Sequence, residues 1–211
     1  MVYAGVVVDE EAIAPDAVET AVKAAWDRKD FDGAISAALD KYGDELFGFL
    51  MGLARDQTQA EDAFSAACER MWRGLPAFRW ESSLRVWAYR IARNEFLRTT
   101  RDVARARKGV PISQVASIQK AVDRARSTTP PHERTEVKDR FAELRSELDA
   151  EDLMLLGLRI ERKMAWADIA KVLAAAEEEP RTTEPDAREI ATLRKRFARL
   201  KDKLRERARK T

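Results

Sequence analysis

Apolar residues recur at three- and four-residue spacing through most of this chain, the pattern of helices that bury one face. Residues 16–28 predict a short amphipathic helix. From Ile35 onward, Ile35, Leu39, Tyr42, Leu46, Phe49, Leu50 and Leu53 keep helical spacing and predict a longer one. The next runs through about 59–74, with Phe64, Cys68 and Met71 on its buried face. Gly74-Leu75-Pro76 interrupts the pattern, because proline lacks a backbone donor and glycine weakens helix. A further helix begins near Ser82 or Ser83, either hydroxyl being a suitable cap, and continues to about Arg107. No alternating strand pattern survives beyond a few residues near the N-terminus, so the predicted fold class is all-α.

Residues 109–135 read differently. Gly109, Pro111 and the run Ser-Thr-Thr-Pro-Pro at 127–131, with few large apolar residues, predict a linker that holds at most a weak helix at 113–126. His132 falls beside the prolines, a linker position. A second helical block starts near 136. Asp149, with Asp152 three residues later, predicts a capped helix carrying Leu153, Leu156 and Ile160. A short helix then groups Trp166, Ile169, Ala170 and Leu173, and a last long helix carries the stripe Ile190, Leu193, Phe197, Leu200 and Leu204. The expected organisation is an N-terminal extension (1–30), a helical domain (31–108), a linker (109–135) and a second helical domain (136–211).

Composition fits this reading: 45% hydrophobic and 36% charged residues, with only 8 Gly and 7 Pro. The lone Cys68 excludes an internal disulfide, and no run of 18 apolar residues or signal-like start is present. A soluble, cytoplasmic protein without membrane insertion is expected. The net charge of +2 conceals an asymmetry. Residues 1–69 carry 15 acidic and 5 basic side chains, whereas 90–108 carry 7 basic against 2 acidic and 188–211 carry 11 against 3. Two basic segments on an acidic body suggest two contacts with a polyanion, although solvated helix faces also produce such runs.

The segment 60–101 holds the most chemistry. Asp62, Ser65, Glu69 and Arg73 form a polar stripe opposite the Phe64–Cys68–Met71 face. In the following helix Leu84, Ala88, Ile91 and Ala92 make the core face. Trp87, Arg90, Asn94 and Arg101 lie along a neighbouring stripe, with Tyr89 and Arg93 on another. Rings can stack on exposed bases, guanidiniums can neutralise phosphates and an amide can bond a base edge, a combination suited to unpaired DNA. Packing between helices is the competing reading for Trp87 and Tyr89. In the last helix Lys195, Arg196, Arg199 and Lys203 point away from the apolar stripe and Arg194 flanks it, as a helix entering a major groove requires. Trp166 reads as core more readily than as a contact to the DNA backbone.

Ala60-Glu61-Asp62, Phe64, Met71-Trp72-Arg73 and the run from Ser83 to Asn94 resemble region 2 of the extracytoplasmic-function (ECF) sigma factors, a subfamily of sigma-70 type RNA polymerase sigma factors. The resemblance implies that Asp62, Ser65, Glu69 and Arg73 face the β′ clamp helices of core RNA polymerase. It also implies that the loop Phe78–Ser83, with Arg79, Trp80, Glu81 and Ser82, takes a base flipped from the non-template strand. Trp87, Arg90, Arg93 and Asn94 would then stabilise the opened −10 element. Capturing a base already out of the stack recovers part of the few kcal/mol that unstacking costs. Ser65 stands where the family usually has Gln, and Trp80 where it often has a small residue.

Leu158 to Ala170 resembles the opening of the region 4 helix-turn-helix, and Thr192 to Lys201 resembles its recognition helix. The resemblance implies a β-flap contact and −35 binding through Arg194, Lys195, Arg196, Arg199 and Lys203. Eighteen residues separate Leu173 from Thr192, too many for a tight turn. The insertion at 174–187 predicts a lengthened first helix, an acidic and proline-bearing loop, and an early start of the last helix near Asp186. The expected partners are core RNA polymerase, promoter DNA and an anti-sigma factor. No phosphate loop or metal-ligand cluster is visible and there is one His, so no catalytic residue, metal or cofactor is expected. The competing function is a sigma-like helix-turn-helix DNA-binding regulator or adaptor without initiation activity. Such a regulator would leave residues 60–101 unused and would bind duplex DNA by itself.

Overall fold

The computed structural model of the chain describes residues 17–54, 56–101, 120, 123, 124, 148–174 and 184–209. The N-terminal part forms α1 (Ala17–Asp27), α2 (Phe31–Leu53), α3 (Gln57–Gly74) and α4 (Leu84–Arg101), with a 3₁₀ turn at Leu75–Ala77. The C-terminal part forms α5 (Ala150–Leu156), which runs into a π-helical turn at Gly157–Glu161, then α6 (Trp166–Leu173) and α7 (Ala187–Ala208). No strand occurs among the described residues, so the fold is all-α.

Local chemistry sets the ends. The turn after α1 closes with Asp30 N–H donating to Ala25 at 3.0 Å and Lys29 N–H donating to Trp26 at 2.8 Å. Lys29 takes the left-handed position (φ 61°) that such a turn usually gives to glycine. Asp30 then caps α2, accepting from Gly33 N–H at 2.9 Å, and Asp56 caps α3 by accepting from Gln59 N–H at 2.8 Å. Pro76 stops α3 from continuing. Of the two hydroxyls expected to cap α4, it is Ser83 that accepts from Val86 N–H, at 3.2 Å. Asp149 caps α5 through Asp152 N–H at 2.7 Å. Asp186 and Glu189 make a reciprocal capping box that starts α7, matching the early start expected near Asp186.

Helix α2 is the hub. It packs against α1, α3, α4 and α5, which is why buried side chains crowd its second half on several faces. Phe47, Phe64 and Leu46 are fully buried, each contributing about 1.5–3 kcal/mol of transfer free energy, and Tyr89 is fully buried with them. Both halves share one core: α6 packs on α4, α5 on α2, and Gly157 lies against the Phe49 ring. Of the 109–135 segment only Lys120, Asp123 and Arg124 belong to the described residues; the Arg124 guanidinium donates to the Asp40 carboxylate at 2.5 Å. The rest of that segment, residues 1–16, 136–147 and 175–183 lie outside the described residues. No helix among the described residues is long and apolar enough to cross a membrane.

Candidate nucleic-acid interface

On α3 the polar stripe is not continuous. Asp62 and Arg73 are exposed and Glu69 is half-buried, with Arg73 and Glu69 paired at 2.6 Å. Ser65 is only 6% exposed, because α2 and α4 flank α3 on both sides and widen its buried arc. Arg70, absent from the expected set, is exposed in its stead. Beside Arg73 a groove is lined by Lys29, Phe31, Trp72 and Pro76, and Trp72 Nε1 donates to Asp32 at 3.1 Å.

Helix α4 is covered on two sides. Leu84, Ala88 and Ala92 are buried as expected, but so are Val86, Tyr89 and Phe96. Arg93, one turn beyond Tyr89, is 5% exposed and donates to the Asn94 side chain at 3.0 Å. The Tyr89–Arg93 stripe therefore does not face solvent here; α6 packing on α4 is the physical reason. Burial pushes the Tyr89 phenol up, against the charge of nearby Arg162. Arg90 and Asn94 are half-buried on the open side, and burial lowers the Arg90 guanidinium from its usual range. Arg98 is half-buried beside Glu95 at 3.5 Å. The side chain of Arg101 lies outside the described residues.

The loop 78–83 is built on aromatic rings. Trp87 is half-buried, its ring 4.8 Å from that of Phe78, and it lies over Gly74, where an added Cβ would come within 3.3 Å. Trp80 has φ 58°, a costly conformation for a bulky residue, and its ring contacts Phe78 at 4.9 Å and Trp26 at 6.1 Å. Arg79 and Glu81 are exposed and 3.8 Å apart, and Ser82 is half-buried. Packing between rings thus accounts for Trp87 and Trp80, while Arg79 and Glu81 remain open to a ligand.

On α7, Arg194, Lys195, Arg199 and Lys203 are exposed. Arg196 turns back on its own block, donating to Asp152 at 2.6 Å, Glu151 at 2.7 Å and Asp149 at 3.1 Å. Burial opposes its charge, and the bonds it donates to Glu151 and Asp152 more than offset this, holding the guanidinium above its usual range. Trp166 packs edge-on against Phe197 at 5.4 Å, with Arg159 stacked over it at 4.6 Å. Arg194 also lies over the Trp166 ring, at 6.0 Å. Among the described residues no group of His, Cys, Asp or Glu could hold a metal ion.

This geometry is that of an all-helical module presenting an outward α3 face, an aromatic loop and a basic last helix. Residues 38–106, from within α2 to just beyond α4, match the family model described as Sigma-70 region 2. The match spans about a third of the chain. No solved structure matches the chain.

Proposed function

We propose that this chain is a sigma factor of the ECF type, which binds core RNA polymerase and directs promoter-specific transcription initiation. The region 2 match over 38–106 carries this reading, because it falls on α3, the aromatic loop and α4 together. Asp62, Glu69, Arg70 and Arg73 would meet the β′ clamp helices. Arg79, Glu81, Arg90 and Asn94 would meet the opened −10 strand, with guanidiniums on phosphates and the amide on a base edge. Helix α7 would enter the −35 major groove with Lys195, Arg199 and Lys203, Arg196 serving as an internal tie. Residues 31–108 and 136–211 would act as two domains on a tether at 109–135, and their separation would uncover Tyr89 and Arg93. Such a protein performs no covalent chemistry of its own and acts in the cytoplasm.

The deciding experiment adds the purified chain to bacterial core polymerase with a library of promoter fragments. Run-off transcripts from a subset are expected, together with co-purification of chain and core enzyme. Tight binding to duplex DNA with no association with polymerase would overturn this reading in favour of a helix-turn-helix regulator.

A further inference from the structure

Residues Glu19, Lys23 and Trp26 lie at i, i+4 and i+7 on α1, one stripe of one helix, outside the segment that matches region 2. Between them they touch the start, the middle and the end of the 75–84 connection. At its start, Trp26 Nε1 donates to the Leu75 carbonyl at 2.7 Å. In its middle, the Trp26 ring meets Trp80 edge-on at 6.1 Å, and the Lys23 ammonium stands 5.4 Å from the Trp80 ring centre. At its end, the Glu19 carboxylate accepts from Leu84 N–H, the first residue of α4. That helix has no acidic residue in its own first turn, so Glu19 supplies the negative charge its N-terminus favours.

The connection needs such support. Trp80 sits in the left-handed region, and its buried indole N–H meets no hydrogen-bond acceptor among the described residues. A bulky residue stays in that conformation only where its surroundings over-determine it. Phe78 and Trp26 supply the ring contacts, and the two hydrogen bonds from α1 fix both ends of the connection.

We propose that α1 is a positioning brace: Glu19, Lys23 and Trp26 hold the 78–83 loop, with Trp80 as its inner wall, in the shape that receives an unpaired base. This rests on the reading of that loop as the −10 base site. Glu19, Lys23 and Trp26 are positioning residues, acting through the loop and touching no nucleotide.

The test uses the full chain bound to core polymerase and a promoter bubble carrying each of the four bases in turn at the captured position. Glu19→Ala and Trp26→Phe should each flatten the preference among bases by about fivefold, roughly the effect of losing one helix-capping bond. Affinity for core polymerase should be unchanged, and Glu19→Gln, which keeps an acceptor, should retain the preference. Loss of stability alone would weaken all four bubbles equally and leave their ranking intact. A wild-type chain that ranks the bases while both variants keep that ranking overturns the brace and leaves the sigma reading standing. A wild-type chain that binds polymerase or bubble in no combination overturns both. If Glu19→Ala does not fold, the Trp26→Phe result decides.

Discussion

Arg85 of α4 and Glu45 of α2 form a two-pronged ion pair, Nε donating to Oε2 at 3.3 Å while a terminal nitrogen meets Oε1. That same nitrogen donates to the main-chain carbonyl of Arg162 at 3.0 Å. One guanidinium thus ties α2, α4 and the turn after α5. Burial opposes the Arg85 charge, and Glu45 more than offsets it, holding the guanidinium above its usual range. Arg85→Ala leaves Glu45 half-buried without this partner and frees the Arg162 carbonyl, at a cost of about 1–3 kcal/mol. Urea unfolding of Arg85→Ala, Glu45→Ala and the double variant checks this. A coupling energy near zero would show that the pair does not hold the two halves together.

Cys68 is fully buried in α3, and burial pushes its thiol well up from the usual range. Thiolate chemistry at this position therefore requires unfolding. Labelling by a soluble thiol reagent should be about 10²-fold or more slower in buffer than in urea, since reaction follows the open population. Fast native labelling would mean that α3 separates readily from the core.

Features encoded within a few residues were legible in the sequence. The Asp149 and Asp186 caps, the break at Pro76 and the stripes of α2 and α7 all follow from local spacing. Burial set by distant segments was not. Periodicity assigns α4 one buried face, whereas contacts with α2 and α3 and, separately, with α6 bury two, taking Tyr89 and Arg93 inside. Ser65 is a boundary position on the helical wheel, and only the flanking helices decide that it is covered. Arg196 looked equivalent to Arg199 because the carboxylates that claim it lie 44 to 47 residues away in the chain. The amphipathic pattern of residues 16–28 revealed α1 but not the loop that its Glu19–Trp26 face serves.

Glu95 reports on the charged edge between α3 and α4. Its side chain is 13% exposed, and burial raises its carboxyl from the usual range, with Arg98 and Arg70 opposing and Glu69 adding to the rise. Folding thus raises this pKa, so between the unfolded and folded values the native chain binds more protons than the unfolded one. Stability falls as pH climbs through that window, and the penalty is complete above it. Glu95→Gln removes the penalty and should raise the urea midpoint of the chain at neutral pH. The gain should vanish below about pH 4, where the unfolded carboxyl is also protonated. Urea midpoints of variant and parent across pH measure it, and a gain constant with pH would mean that Glu95 acts through packing instead.

Arg196 and Arg199 lie one turn apart on α7 and should separate stability from DNA binding. Arg196 bridges Asp149, Glu151 and Asp152, joining α7 to the start of α5, with its side chain 35% exposed. Arg199 is exposed. Arg196→Ala should destabilise the chain by about 1–2 kcal/mol, since it removes several charge-assisted bonds on a partly solvated surface. Its effect on promoter binding should be confined to that loss of fold. Arg199→Ala should leave the unfolding midpoint within about 0.5 kcal/mol of the parent. If Arg199 reads a base edge, the same variant should lose about 1–3 kcal/mol of polymerase-dependent promoter affinity, with the −35 footprint weakened. Parallel melts and footprints on the two variants give a crossed pattern in that case. An intact −35 footprint in Arg199→Ala would show that α7 does not read DNA through this residue. A stability loss in Arg199→Ala equal to that in Arg196→Ala would show that both arginines serve the fold.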